Sequence, residues 1–334
     1  MIVSILPSIY DKAIQGDQRI LKVVTDIFQM VLEGRHQLVL EGDSSLVNLI
    51  ESPEFIDYKD IIREVKNIDK APHRYNLIVR VTDNTDVIDG IQFFNGLKVV
   101  KTEGEVRYEY LHVDWIINYL SDSLSIYVEN ANNDGLFIRA IYYLLKGHKL
   151  KSDLVDFRGS GGIGNMAEQL ERIDMPKRVI CITDSDKRYP NDSGNLRYIK
   201  EIREVCRSKD FYYHILDKRA IENYIPDYLL EIEYGGKSHP YFQMGKNERK
   251  YFNIKKGLTP QDFKTKNIRE LYSSYLKGRY AQKSRLPGFG RVAKKLFRRL
   301  YEDCQMVSPA PEDLLDDETI KELKDITNLI DNYL

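Results

Sequence analysis

Apolar side chains recur at intervals of three and four along ILKVVTDIFQMVLEG (20–34), the period of a helix with one buried stripe. QLVLEGD (37–43) and YNLIVRVTD (75–83) are short apolar runs closed by turn residues, the pattern of strands. Residues 1–120 therefore read as a mixed α/β domain, without a recognisable constellation of reactive side chains.

From Ser121 the alternation becomes regular. SLSIYVEN (123–130) is a strand, DGLFIRAIYYLLKGH (134–148) a helix stopped at a glycine, and LVDF (154–157) a short strand. A glycine turn, the brief helix NMAEQLERI (165–173) and the strand RVICITD (178–184) follow. The helix NLRYIKEIREVCRSK (195–209) and the strand FYYHIL (211–216) complete the series. Strands alternating with helices of this length need crossover connections, so the fold class is α/β with a mostly parallel central sheet flanked by helices. Its domain spans 121–232. Beyond it, residues 233–334 read as basic, mainly helical segments interrupted at Pro287-Gly288.

Composition narrows the picture. The chain has 334 residues and a net charge of -1, with no apolar run of membrane-spanning length and no secretory leader pattern. A cytoplasmic protein is expected. The three cysteines form no C-x-x-C pair, which argues against a disulfide framework or a zinc knuckle. The six histidines are scattered without ligand spacing. Charge is segregated: from Lys237 to Arg299 there are 18 Lys or Arg against three acids, whereas Pro311 to Leu334 carries eight acids and two lysines. A polyanion-binding face beside an acidic tail is the implied arrangement.

The reactive candidates are carboxylates at predicted strand ends. Glu129 closes SIYVEN, Asp184 and Asp186 close RVICITDSD, and Glu222 in KRAIENYI follows the last strand. Chemistry in parallel sheets gathers at the carboxyl ends of strands. Four acids converging there would raise one another's pKa unless a divalent cation compensates, and Mg²⁺ takes such oxygen ligands. Continued extension past the strand would put Asp184 and Asp186 on one side with Ser185 opposite. Taken singly, each acid is also an ordinary turn or capping residue; the order of all four favours a metal site.

These residues resemble the TOPRIM domain of topoisomerases, primases and OLD-type nucleases: VEN (128–130), GSGG (159–162) and ITDSD (182–186), extended by the OLD-like Glu-Asn-Tyr of KRAIENYI (218–225). The resemblance covers about 100 residues near 121–232. It implies that Glu129, Asp184, Asp186 and Glu222 hold Mg²⁺ or Mn²⁺ for cleavage of DNA or RNA phosphodiester bonds. Asn130 stands where the family has Gly, and Asp134 is one place beyond the family's next acid, which makes it a candidate ligand. Lys255 and Lys256 are candidates to reach the scissile phosphate. OLD enzymes carry an ATPase domain and often serve in anti-phage defence. No G-x-x-x-x-G-K-[ST] occurs here, so a separate ATPase subunit is the implied partner. The sequence leaves room for a homo-oligomer.

Ten aromatics interleave the basic segment, so its cations are expected to grip phosphates and some of its rings to stack bases, the other rings being core. Arg291, Lys294, Lys295, Arg298 and Arg299 present charge at helical spacing. Other readings compete. LVLEGD (38–43) imitates the first TOPRIM motif, but Glu41 lies 143 residues before Asp184, against 55 for Glu129. Gly159 to Gly164 fits G-x-G-x-x-G, the dinucleotide-binding layout, with Asp184 twenty residues on. A phosphatase of the haloacid dehalogenase type also uses D-x-D, but Arg188 stands where its Thr or Val is wanted. A non-catalytic nucleic-acid-binding scaffold is the alternative from another class.

Overall fold

The computed structural model describes residues 1–40, 51–64, 66–67, 76–83, 86–88, 91–92, 98–234, 238–275, 285–290, 293–307 and 309–334. Glu41 and Arg291 lie outside the described residues, and the side chain of Lys294 is likewise not described. The protein is α/β, with parallel sheets flanked by helices, and it divides into two compact units. No described helix is long and apolar enough to cross a membrane.

The first unit comprises residues 1–124, 173–178 and 329–334. Its elements are β1 (Ile2–Ile5), α1 (Pro7–Ile14), α2 (Gln18–Leu32), β2 (Gln37–Leu40), α3 (Lys59–Glu64), β3 (Lys66–Asn67), β4 (Leu77–Thr82), the β5–β6 hairpin (Val87–Ile88, Ile91–Gln92), β7 (Lys98–Glu103), β8 (Val106–His112) and α4 (Val113–Ser121). The sheet order is β3-β2-β1-β4-β8-β7, and β7 alone is antiparallel to its neighbour. The α2 stripe buries Ile20, Val24, Ile27 and Phe28 as its periodicity predicts, and the Asp17 carboxylate caps it by accepting from the Arg19 and Ile20 amides. β1, β7 and β8 were not anticipated from the sequence.

The second unit comprises residues 125–172 and 179–328. It contains β9 (Leu124–Val128), α5 (Ala131–Lys146), β10 (Val155–Gly159), α6 (Met166–Glu171), β11 (Val179–Thr183), α7 (Leu196–Ser208) and β12 (Tyr212–Ile215). After these come α8 (Asp227–Tyr234), α9 (Lys246–Tyr251), β13 (Gly257–Leu258), α10 (Lys266–Tyr272), β14 (Leu286–Pro287), α11 (Ala293–Val307), α12 (Pro311–Leu314) and residues 317–328 of α13 (Asp317–Tyr333). The sheet order is β10-β9-β11-β12, with β9, β11 and β12 parallel. Every residue of β9 and β11 is buried, as the unbroken apolar runs require of central strands.

The second unit takes in residues on both sides of position 232 because α11 packs along α5. Leu296, Phe297 and Leu300 are buried, and the Phe297 ring lies 5.1 Å from that of Phe137. Six of the ten aromatics in the basic segment, Tyr241, Phe252, Phe263, Tyr272, Phe289 and Phe297, are core residues. The expected stacking role is corrected for these six. They bury their rings because this segment has to build its own core from short helices and turns.

Candidate active site

All five candidate carboxylates belong to the second unit. Glu129 follows the last residue of β9, and the glycine turn brackets it: Ser160 N–H donates to Val128 O (3.0 Å) and Gly161 N–H to Glu129 O (3.2 Å). Gly159 is required here, since a Cβ would stand 2.8 Å from the Ala131 amide nitrogen at the start of α5. That contact accounts for part of G-x-G-x-x-G as packing. The dinucleotide layout finds no support, because β10 is an edge strand and the helix after the turn has only six residues.

The Glu129 Oε1 atom is buried without a hydrogen-bond partner. Burial, reinforced by Asp186 and Asp134, pushes its pKa up to about 7. Asp134 sits in the first turn of α5 and accepts from Asn130 N–H (2.9 Å), while Asn130 Oδ1 caps the Asn132 and Asn133 amides. It therefore serves the helix start and still lies close to the acids; burial, with repulsion from Glu222, raises it to about 6.

Asp184 follows β11 directly and accepts from Ile221 N–H (3.0 Å). Burial drives its pKa well up, and Glu129, Glu222, Asp134 and Asp186 add to the shift. The expected extension past Asp184 does not occur: β11 ends at Thr183 and Asp186 adopts φ 53°. The turn is fixed by Asp186 N–H donating to Arg219 O (2.9 Å) and Ser185 Oγ to Lys218 O (2.8 Å). Asn195 Nδ2 donates to the Asp186 carboxylate. Burial raises the Asp186 pKa, with Arg219 and Lys255 opposing. Gly194, at φ 53°, lets the loop pass directly against the Ser185 carbonyl.

Glu222 lies in a 3-10 turn, Ile221–Tyr224, and is 2% exposed. Asn223 holds that turn by donating to Arg249 O (2.7 Å) and Phe252 O (2.9 Å). Lys255 Nζ stands 2.6 Å from Glu222 Oε1. Burial disfavours the Lys255 ammonium, but Glu222, Asp184 and Asp134 outweigh it and hold its pKa above the ordinary value. Lys256 is exposed and makes no ion pair among the described residues, so the cation at the carboxylates is Lys255.

The sequence reading thus brings Glu129, Asp134, Asp184, Asp186, Glu222 and Lys255 together, and it missed Asn195, Arg219 and Gly194. No signal marked these three, whose roles depend on loop closure. The oxygen-only donor set and the unpartnered Glu129 Oε1 fit a hard divalent ion such as Mg²⁺ or Mn²⁺. The acids are near enough to raise one another's pKa, yet among the described residues no three are drawn to ligand spacing around one point. Elsewhere, Lys295 pairs with Glu233 (2.6 Å), Arg299 lies 3.9 Å from Asp303, and Arg298 is exposed and makes no ion pair among the described residues. The chain matches no family model, no curated protein and no solved structure.

Proposed function

We propose that the protein is a divalent-metal-dependent nuclease that hydrolyses phosphodiester bonds of DNA or RNA. The observation that carries this reading is the meeting of Glu129, Asp134, Asp184, Asp186 and Glu222 beside the parallel strands' carboxyl ends, where each of the first four has a raised pKa. Such a set is unfavourable by itself and becomes favourable around a cation. Glu129, Asp184 and Asp186 would hold Mg²⁺ or Mn²⁺, with Glu222 and Asp134 beside them. A bound ion would supply charge stabilisation at the phosphoryl oxygens and an activated water.

The chain's own groups supply the rest. Glu129, which a bound ion would keep ionised, has a buried oxygen without a hydrogen-bond partner that would accept from the attacking water and orient it, the water's proton passing to solvent. The water oxygen bonds to phosphorus, the bond from phosphorus to the leaving sugar oxygen breaks, and that oxygen takes up a proton from solvent. Lys255, held charged, faces the negative charge that builds on the phosphoryl group. Arg298 and Lys256 are exposed cations suited to the flanking backbone. By the TOPRIM and OLD-like resemblance we further propose an effector of anti-phage defence paired with a separate ATPase.

The test is cleavage of supercoiled plasmid and of tRNA with Mg²⁺ or Mn²⁺, wild type against Asp184→Asn/Asp186→Asn. Metal-dependent cleavage lost in the variant is expected. Binding without cleavage in both would favour a second reading, a nucleic-acid-binding scaffold whose acids Lys255 already neutralises; the Lys255–Glu222 pair is the observation on its side.

A further inference from the structure

The helix α7 begins against the carboxylates. Asn195 stands at its N-cap, where an asparagine ordinarily accepts from the first amides, yet its side chain makes no capping bond and donates to the Asp186 carboxylate instead. The first turn of α7 is thereby tied to the acids. Tyr198 lies three residues on, on the same helix face and about 4.5 Å further along the axis. Its ring rests on the glycine turn, with Cε1 and Cζ 3.5 and 3.6 Å from where a Cβ on Gly164 would stand. That turn also brackets Glu129 through the Ser160 and Gly161 amides. Tyr198 thus leans on the Glu129 side of the site while its helix is anchored to the Asp186 side.

Core packing does not account for this ring. Ile199 and Ile202 form the buried side of α7, whereas Tyr198 is 37% and Leu196 40% exposed. The Tyr198 hydroxyl makes no hydrogen bond among the described residues. Arg197, between the two, pairs with Glu201 (3.0 Å), and its guanidinium carbon lies 6.0 Å from the centre of the Tyr198 ring. Both partners of that pair are exposed, so it contributes little and leaves the arginine available to another anion. Lys200, exposed on the next turn, makes no ion pair among the described residues. An exposed ring flanked by cations is the surface on which unpaired bases stack while phosphates are neutralised.

We infer that Tyr198 is the stacking platform for an unpaired base beside the scissile phosphate, so that the substrate is a single strand or a loop and not a continuous duplex. This rests on the nuclease reading, which places the phosphate at the acids. Within a duplex both faces of a base are covered by its neighbours, and freeing one costs a few kcal/mol. Stacking on the ring recovers about 1 to 3 kcal/mol, which suffices for a base already free and not for one that must first be unstacked. The acids also lie below the surface, Glu222 being 2% exposed, so the backbone has to bend in toward them. A single strand bends at little cost. Arg197 and Lys200 are then placed for the phosphates that follow along α7.

The experiment is fluorescence anisotropy of the full chain, in EDTA and in Ca²⁺, with a labelled single-stranded DNA, the same sequence as RNA, and each of them as a duplex. One of the single strands is expected to bind about ten-fold tighter than its duplex, and Tyr198→Ala to weaken that strand by about ten-fold while leaving the duplex unchanged. Tyr198→Trp should keep the affinity, and Tyr198→Leu should behave as the alanine does, which separates a ring from mere apolar surface. If the alanine variant melts early, the comparison of Trp with Leu decides. No binding of either single strand, duplexes bound as tightly, or Leu as good as Trp would overturn the inference. So would a Tyr198→Ala that changes only the oligomeric state, which would mark a contact between copies. Cleavage with Mg²⁺ is followed separately. Single-strand binding as expected with no cleavage removes only the Proposed function, whereas cleavage that ignores both strandedness and Tyr198→Ala removes only this inference.

Discussion

Lys255 and Glu222 are joined across the site, ammonium to buried carboxylate at 2.6 Å, and the backbone gives the lysine little room to leave. Gly290 N–H donates to Lys255 O (2.9 Å) and Gly257 N–H to Asn253 O (2.7 Å), closing the loop on both sides. Lys255→Met would leave Glu222 without its cation. Because the lysine is about half exposed, the cost is discounted to about 1 to 2 kcal/mol. The expected outcome is loss of cleavage together with a larger rise in melting temperature on adding Mg²⁺ than in wild type, since the ion then answers charge that Lys255 no longer covers. An equal or smaller Mg²⁺ effect in the variant would show that the lysine and the ion do not share these carboxylates.

Asp184→Asn separates stability from function. The asparagine keeps an acceptor for Ile221 N–H but removes one charge from a set whose members raise one another. A carboxyl with a raised folded pKa keeps its proton in the folded state after the unfolded chain has released it, so stability falls as pH rises between the two values. The variant is therefore expected to be more stable than wild type in metal-free buffer at pH 8, by about 1 to 2 kcal/mol, with the difference vanishing toward pH 4. It should also lose cleavage. Urea denaturation in EDTA at the two pH values checks the first part.

How far the sequence carries follows from where each residue gets its role. Glu129 and Asp184 were legible because buried strands must end somewhere, and an acid just past a continuous apolar run is placed by the strand itself. The Asp186 position was legible and its conformation was not: alternation holds only while the chain is extended, and a hydrogen bond from its amide to Arg219 O curls it back. Asn195 and Arg219 reach Asp186 through loop closure, which no period encodes. β7 and β8 escaped notice because lysines, arginine and glutamate break their apolar pattern; Glu109 is buried in β8 only because Arg107, Tyr119 and Tyr333 satisfy it. The basic segment misled differently. Composition put rings beside cations, and only packing shows that most of the rings face inward while Lys295 and Arg298 face out.

Two glycines with positive φ make a controlled comparison. Gly194 has φ 53°, and a Cβ there would overlap the Ser185 carbonyl oxygen, backbone that has nowhere to yield without moving Asp184 and Asp186. Gly147 has φ 73° at the end of α5, with nothing within 4 Å of its Cβ position. Gly147→Ala should cost only the left-handed penalty, about 1 kcal/mol. Gly194→Ala should cost more, about 2 to 4 kcal/mol, and should abolish cleavage even where the protein remains folded. Equal melting temperatures for the two variants would mean that the Ser185 contact does not constrain the loop.

His36 and Glu129 give the two units opposite responses to acid. His36 is nearly buried in the first unit, its Nε2 3.1 Å from Leu120 O and its Nδ1 without a partner, and burial, with the nearby α-amino group and Arg178, lowers its pKa to about 4. The unfolded chain takes up that proton near pH 6.5 and the folded chain only near 4, so the first unit loses stability as pH falls through this window, on the order of 3 kcal/mol in full. Glu129 in the second unit works the other way, because its folded pKa of about 7 lies above the unfolded value and protonation relieves the acid cluster as pH falls toward 4.5. A single melting temperature would blend the two. Amide hydrogen exchange read peptide by peptide in metal-free buffer, corrected for the intrinsic pH dependence, separates them: between pH 7 and pH 5, α2 and α4 are expected to lose protection while β9 and β11 gain it. His36→Gln, whose amide can still donate to Leu120 O and does not titrate, should reduce the loss in the first unit, leaving the part due to the buried α-amino group of Met1, whose pKa is lowered to about 6, and should leave the gain in the second unit unchanged.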